Sequence, residues 1–162
     1  MISARTATLA IAVLVLLVLQ YTVRPILDWR AGIDFLVIAL LVLAVRVRPG
    51  AAAAAGFVIG LIADALTPEA FGAGALAMTL VGFAASRLKA GFFAENIWLN
   101  AVFVFVGKVA FDVVYALAEQ RLGGMELLGQ LFVWTPLAAL ATALVGLIVM
   151  AMVRPSFERR HR

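Results

Sequence analysis

The chain has 162 residues, of which 65% are hydrophobic and 14% are charged, whereas soluble domains contain about 45–50% apolar residues. A soluble fold of this size could not remove so much apolar surface from water, so the composition predicts an all-α integral membrane protein. The formal net charge is +4 and there are no cysteines, which excludes disulfides and thiolate metal sites.

Charged residues divide the chain into six largely apolar segments. Because one crossing takes about 20 residues, six transmembrane helices fill most of the chain, and we expect one membrane domain over residues 1–162. The first segment lacks a small-x-small cleavage site and is expected to be retained. The predicted helices cover about 6–23, 32–45, 50–66, 71–86, 96–118 and 129–153.

The second of these helices is the shortest, because only 11 residues separate Asp34 from Arg46. We expect it to complete its crossing with Asp34 at one membrane surface, while Arg46 and Arg48 extend their side chains to the other. On this interpretation Asp34 is solvated, as is Glu119 after the fifth helix.

Basic residues are divided unequally between the two sides of such a bundle. Nine lie on one side: Arg5, Arg46, Arg48, Arg87, Lys89, Arg154, Arg159, Arg160 and Arg162. Three lie on the other: Arg24, Arg30 and Arg121. Cytoplasmic loops carry an excess of Lys and Arg, so both termini are predicted to be cytoplasmic. The basic clusters are short and separated, unlike the continuous face of a nucleic-acid-binding protein.

Two helices carry stripes of small residues, which allow close helix packing in membranes. Ala52, Gly56, Gly60 and Asp64 recur every four residues on the third helix and therefore share one face. This is either an internal packing face with a terminal carboxylate or a groove leading to a polar site. The stripe on the first helix is Ala4, Thr8 and Ala12. It is predicted to dock the single transmembrane helix of a partner.

The fifth helix contains Lys108 and Asp112, which are one turn apart and can pair away from lipid. At about 1.5 Å per residue, Asp64 reaches about the depth of Asp112. We therefore predict a polar cluster of Asp64, Lys108 and Asp112 within the membrane. An unpaired charge there costs at least about 2.5–3.5 kcal/mol. The cluster is either a structural clamp or a substrate or proton site.

No pattern in the sequence predicts catalysis or metal binding. His161 is the one histidine and lies in a basic tail, so a Ser-His pair within the membrane is unsupported. Gly72-Ala-Gly74 is a turn between hydrophobic spans, not a phosphate-binding loop. We expect no enzymatic activity and no cofactor.

Several motifs resemble those of a known family. They are the basic turn at Arg46, the helix Gly56-Phe-x-x-Gly60-Leu-x-x-Asp64, the turn Phe71-Gly72, the helix Ala75-Leu-Ala-x-Thr79-Leu-Val-Gly82-Phe, the upstream Ile33-Asp34-Phe-Leu and the downstream Phe111-Asp112-Val-Val. In these features the chain resembles the MreD family of bacterial rod shape-determining proteins over nearly its whole length. Lys108 is not part of the matching pattern.

The resemblance implies a non-catalytic subunit of the cell-elongation machinery in the bacterial inner membrane. Its implied partners are a bitopic MreC-like protein, a RodA-type glycosyltransferase with a class B penicillin-binding protein, and MreB indirectly. The implied fold is similar to that of the substrate-binding subunits of energy-coupling-factor vitamin transporters. The alternative function is that of a small-molecule-binding subunit of such a transporter. An enzyme acting on lipid-linked substrates ranks last.

The predicted topology can be tested with single cysteines in this cysteine-free chain. Cysteines at positions 47 and 161 should be shielded from an impermeant thiol reagent added to intact cells, whereas one at position 123 should react. Permeabilised cells provide the control for the reactivity of each site. Labelling of position 47 in intact cells would contradict six crossings.

Overall fold

The computed structural model describes residues 4–22, 32–66, 71–92, 97–119 and 129–153, and all regular structure in these ranges is helical. The helices are α1 (Ala4–Thr22), α2 (Phe35–Ala44), α3 (Pro49–Ala65), α4 (Ala73–Phe92), α5 (Ile97–Glu119) and α6 (Thr135–Val153), and a π-helical turn at Gln130–Trp134 leads into α6. Each helix falls on one predicted segment. The clearest differences are that α2 is shorter than its segment and that α4 continues to Phe92.

The shortest helix, α2, forms the centre of the bundle. It contacts each of the other five helices, and nine of its ten residues are buried. With about 1.5 Å per residue it is about 15 Å long, roughly half of a hydrocarbon core of about 30 Å. A helix of this length is stable in an apolar bundle only if its neighbours shield its ends, because exposed backbone polar groups are costly there.

The most extensive contact in the bundle joins α3 to α4, which approach at backbone distance. A Cβ on Gly60 would lie 2.6 Å from the carbonyl oxygen of Gly74, and one on Gly82 would lie 2.7 Å from that of Ala52. A Cβ on Gly56 would collide with the carbonyl of Met78. The small-residue stripe of α3 therefore faces α4, and any larger side chain on it would separate the two helices.

Large apolar side chains cover much of the outside of the described bundle. Two segments, Trp98–Glu119 and Leu131–Met150, are long and apolar enough to cross a membrane, and the other apolar helices are shorter. Only 28% and 33% of the respective segments are buried, whereas the core helix of a soluble protein would be mostly buried. Exposed residues on several helices, such as Leu14, Phe57 and Leu144, add to this apolar surface.

Replacing Gly60 with alanine should destabilise the fold, because the new methyl group overlaps the α4 backbone and small-to-large changes of this kind cost about 1–3 kcal/mol. Gly50 is the matched control: it also lies in α3, but apart from its chain neighbours and the nearby backbone of its own helix, no atom lies within 4 Å of the place that a methyl group on it would occupy. We therefore expect Gly60→Ala to lower the melting temperature in detergent, whereas Gly50→Ala leaves it unchanged or raises it. Equal melting temperatures for the two variants would contradict this account of the α3–α4 contact.

Candidate functional site

The N-terminal end of α2 is buried and is held by side chains from other helices. The amide of Asp34 donates to Thr142 Oγ1 of α6 at 3.2 Å, and the amide of Phe35 donates to Gln20 Oε1 of α1 at 2.9 Å. Asp34 is the N-cap residue, and its own Oδ1 accepts from the amide of Val37 at 3.4 Å. Amides that begin a helix have no partner within it. Here three of them are satisfied by side chains in the protein interior.

The carboxylate of Asp34 also forms an ion pair with α5. Lys108 Nζ lies 3.1 Å from Asp34 Oδ2 and 2.6 Å from Asp112 Oδ1, so this ammonium bridges two carboxylates. Counted over the whole residue, Asp34 is only 6% exposed and Lys108 only 5%. The ammonium also lies 5.0 Å from the ring centroid of Phe111, within the range of a cation–π contact. We call Gln20, Asp34, Lys108, Asp112 and Thr142 the polar node.

The polar node lies at mid-height in the bundle. Lys108 is the twelfth of the 23 residues of α5, and Thr142 is the eighth of the 19 residues of α6. The first turn of α2 therefore lies beside the middle of two long helices rather than at their ends. Buried charges are stable when they are paired and hydrogen-bonded, and the node provides both kinds of partner.

A second buried carboxylate, Asp64, satisfies the start of another helix. Its Oδ2 accepts from the amides of Gly72 and Ala75, each at 2.9 Å, and its Oδ1 accepts from Gly74 at 3.1 Å. Gly72 has no side chain to cap α4, so Asp64 at the end of α3 supplies the acceptor that an N-cap residue would normally provide. The negative charge also suits the positive end of the α4 dipole.

The two glycines of this turn are required for different reasons. Gly72 has a φ of 96°, a conformation that residues with a side chain rarely adopt. A Cβ on Gly74 would collide with the Asp64 carboxylate. The Gly72-Ala-Gly74 sequence is therefore a structural turn whose backbone amides bind the carboxylate of Asp64.

A cavity of about 450 Å³ lies beyond the N-terminal end of α2. Its walls come from the end of α1, the end of α3, the start of α4 and the second half of α5. Its polar lining includes Gln20, Asp34, Asp64, Lys108 and Asp112, and its aromatic lining is Tyr21, Phe111 and Tyr115. The volume is within the range of about 300–1,000 Å³ that is typical of small-molecule sites. No group of described residues has the composition of a metal site.

The arrangement differs from the predicted cluster in its second carboxylate. Lys108 and Asp112 pair across one turn of α5, but the other carboxylate bound to Lys108 is Asp34 and not Asp64. The expectation that Asp34 is solvated at a membrane surface is wrong, because α2 starts in the interior and Asp34 caps it. Asp64 lines the same cavity and binds backbone amides. Glu119, also expected to be solvated, is half-buried at the end of α5.

Gln20 and Thr142 were not predicted as site residues. Each is an uncharged polar residue inside a largely apolar segment. Polar groups in such helices need a hydrogen-bond partner, so this position in the sequence could have indicated a buried contact. The predicted docking stripe of Ala4, Thr8 and Ala12 belongs to α1, but its side chains lie outside those that the structure describes. His161 also lies outside the described residues.

Comparison with protein families decides what kind of protein this is. The family model for the rod shape-determining protein MreD matches residues 2–155. The chain belongs to the MreD family. The resemblance seen in the sequence motifs is thus confirmed, and as an MreD family member the protein is membrane-associated and has a role in determining rod shape. No curated protein and no solved structure matches the chain.

The polar node of this MreD family member should respond to mutation as a coupled unit. Lys108→Met should lower the melting temperature in detergent strongly, because it leaves Asp34 and Asp112 without their ammonium, and breaking a buried pair costs about 3–5 kcal/mol. Adding Asp112→Asn to Lys108→Met should recover part of this loss, because one carboxylate is then neutral. Glu119→Gln is the control for a charge change on the same helix. Strictly additive effects of the two node substitutions would contradict the pairing.

Proposed function

We propose that this protein is a non-catalytic membrane subunit of the bacterial cell-elongation machinery. In this role it scaffolds an MreC-like bitopic protein and, through it, a RodA-type glycosyltransferase with a class B penicillin-binding protein, with MreB as an indirect partner. The observation that carries the proposal is the match of the MreD family model to residues 2–155. The contacts of the polar node agree with a structural role, because they satisfy the start of a buried helix.

The proposed setting is the inner membrane, crossed six times with both termini in the cytoplasm. The unequal distribution of basic residues supports this orientation. The exposed apolar side chains on α1, α3, α4, α5 and α6 support contact of all five outer helices with lipid. In this arrangement α2 crosses only part of the bilayer as a helix, and the remaining helices shield it.

The partner helix is proposed to dock on α1. Of the contacts that the structure describes for α1, the extensive ones are with α2. Leu16 and Gln20, which continue the four-residue spacing of the Ala4, Thr8 and Ala12 stripe, are buried against the bundle. The exposed face of α1 carries Ile11, Leu14 and Val18. Docking on the stripe and docking on this exposed face can therefore be separated by mutation.

Co-purification in mild detergent tests both the complex and the docking face. Wild-type protein should recover an MreC-like partner and the cell-wall synthases, and Thr8→Leu with Ala12→Leu should reduce recovery of the MreC-like partner, because larger side chains prevent close packing. Expression and melting temperature should be nearly unchanged if the stripe receives a partner, whereas a lower melting temperature of the isolated protein would show that the stripe packs against the bundle as Leu16 and Gln20 do.

Two further variants define the outcome of that experiment. Leu144→Ala with Ile148→Ala on the exposed face of α6 is the control and should leave recovery unchanged. Leu14→Ala with Val18→Ala samples the exposed face of α1. Loss of the partner only in this last variant would move the interface from the stripe to that face, and undiminished recovery in both α1 variants would exclude α1.

The cavity favours a second candidate function, that of a small-molecule-binding subunit of an energy-coupling-factor transporter. A pocket with apolar and polar walls suits a small ligand, and the proposed similarity of fold to such subunits would accommodate it. The same co-purification separates the two functions, because a transporter subunit would recover an ATPase module in place of cell-wall synthases.

A further inference from the structure

The cavity beyond α2 has a lining whose chemistry selects a class of ligand. Among the described lining residues there are three carboxylates, Asp34, Asp64 and Asp112, and one ammonium, Lys108. Asp64 is already bound by three backbone amides. The electrostatics of the remaining lining are therefore set by two carboxylates around one ammonium, which disfavours an anionic ligand.

The aromatic lining strengthens this selection. Tyr21, Phe111 and Tyr115 line the same cavity, and the rings of Phe111 and Tyr115 are tilted with their centroids 5.6 Å apart. Carboxylates combined with aromatic faces attract organic ammonium groups, which pair with the charge and lie over the rings. The protein already uses this chemistry within its own chain, because Lys108 is bound by two carboxylates and lies against Phe111.

We propose that this cavity binds a ligand carrying a primary ammonium group, with Asp112 as its main acceptor and Tyr21 and Tyr115 as its aromatic walls. Asp112 suits this role because its side chain is 19% exposed, compared with 9% for Asp34 and 7% for Lys108. Its interactions within the protein, including the bond to Lys108, do not prevent a further one, because a carboxylate offers about four lone-pair sites. The ammonium could be carried by a soluble amine or by a lipid headgroup, since the chemistry of recognition is the same.

The proposal is tested with purified full-length protein and three probes of similar size at constant ionic strength: n-butylammonium, n-butanol and n-butyrate. Butylammonium should raise the melting temperature with a saturable dependence on concentration, whereas the alcohol and the carboxylate should not. Asp112→Asn should weaken the apparent affinity for butylammonium about tenfold or more, as expected for loss of one charge-assisted hydrogen bond. Glu119→Gln, which changes a carboxylate on the same helix away from the cavity lining, should bind as wild type does.

A second variant keeps the test valid if Asp112→Asn fails to fold. Tyr21→Leu changes an exposed cavity residue near the end of α1 and should weaken butylammonium binding severalfold, with the melting temperature in the absence of ligand showing that the variant is folded. Equal stabilisation by butylammonium and butanol, or unchanged affinity in a folded Asp112→Asn variant, would overturn the proposal. Co-purification of the synthases does not depend on this result. The proposed scaffold function and the proposed ligand site can therefore be contradicted separately.

Nanodiscs distinguish the two sources of the ammonium group. If the ligand is a lipid, phosphatidylethanolamine should co-purify and compete with butylammonium, whereas phosphatidylcholine, which lacks an N–H donor, should do neither. If the ligand is a soluble amine, butylammonium should bind equally well in discs of either lipid. Tighter binding of butylammonium in phosphatidylethanolamine discs than in phosphatidylcholine discs would contradict both sources. A lipid ligand would compete and weaken the binding, and a soluble ligand would leave it equal.

Discussion

The start of a helix buried in an apolar bundle must find acceptors for its free amides, and this requirement organises the centre of the protein. Helix α2 begins beside the middle of α5 and α6, and side chains of other helices satisfy amides of its first turn that have no partner within the helix. Gln20 and Thr142 bind its first amides, and the Asp34 carboxylate caps it and binds Lys108. One helix end thus holds α1, α2, α5 and α6 together at a single point.

The same constraint recurs at the start of α4, where the solution is different. The turn between α3 and α4 has no capping side chain of its own at Gly72, so Asp64 reaches across from α3. The two helix starts, capped by Asp34 and Asp64, contribute to the same cavity. The cavity lies beyond the first turn of α2, and its described walls come from α1, α3, α4 and α5, which are all longer than α2.

The segments and their packing faces were predictable because they depend on local patterns. Charges mark the ends of the helices, and the four-residue recurrence of Ala52, Gly56 and Gly60 defines a face without any knowledge of its neighbour. The Lys108–Asp112 pair was accessible for the same reason, since residues four apart on a helix are neighbours.

The rest of the site depends on contacts between residues that are far apart in sequence. Asp34 is 74 residues from Lys108 and its amide bonds to a residue 108 positions away, so no local pattern could pair them. The informative signal was the short distance from Asp34 to Arg46. Extending that segment to span the membrane placed Asp34 at the surface, whereas accepting its shortness would have placed Asp34 in the interior.

These sequence separations also constrain the order in which the protein can be completed during synthesis. Chains grow from the N-terminus, so α2 leaves the ribosome well before Lys108 and Thr142 exist. Until α5 and α6 follow, the first amides of α2 and its capping carboxylate lack their final partners. The start of α2 therefore acquires its full set of partners only after the last helix has been made. A chain truncated before Thr142 would retain an incompletely satisfied helix start, the kind of defect by which membrane quality control could distinguish it from the finished protein.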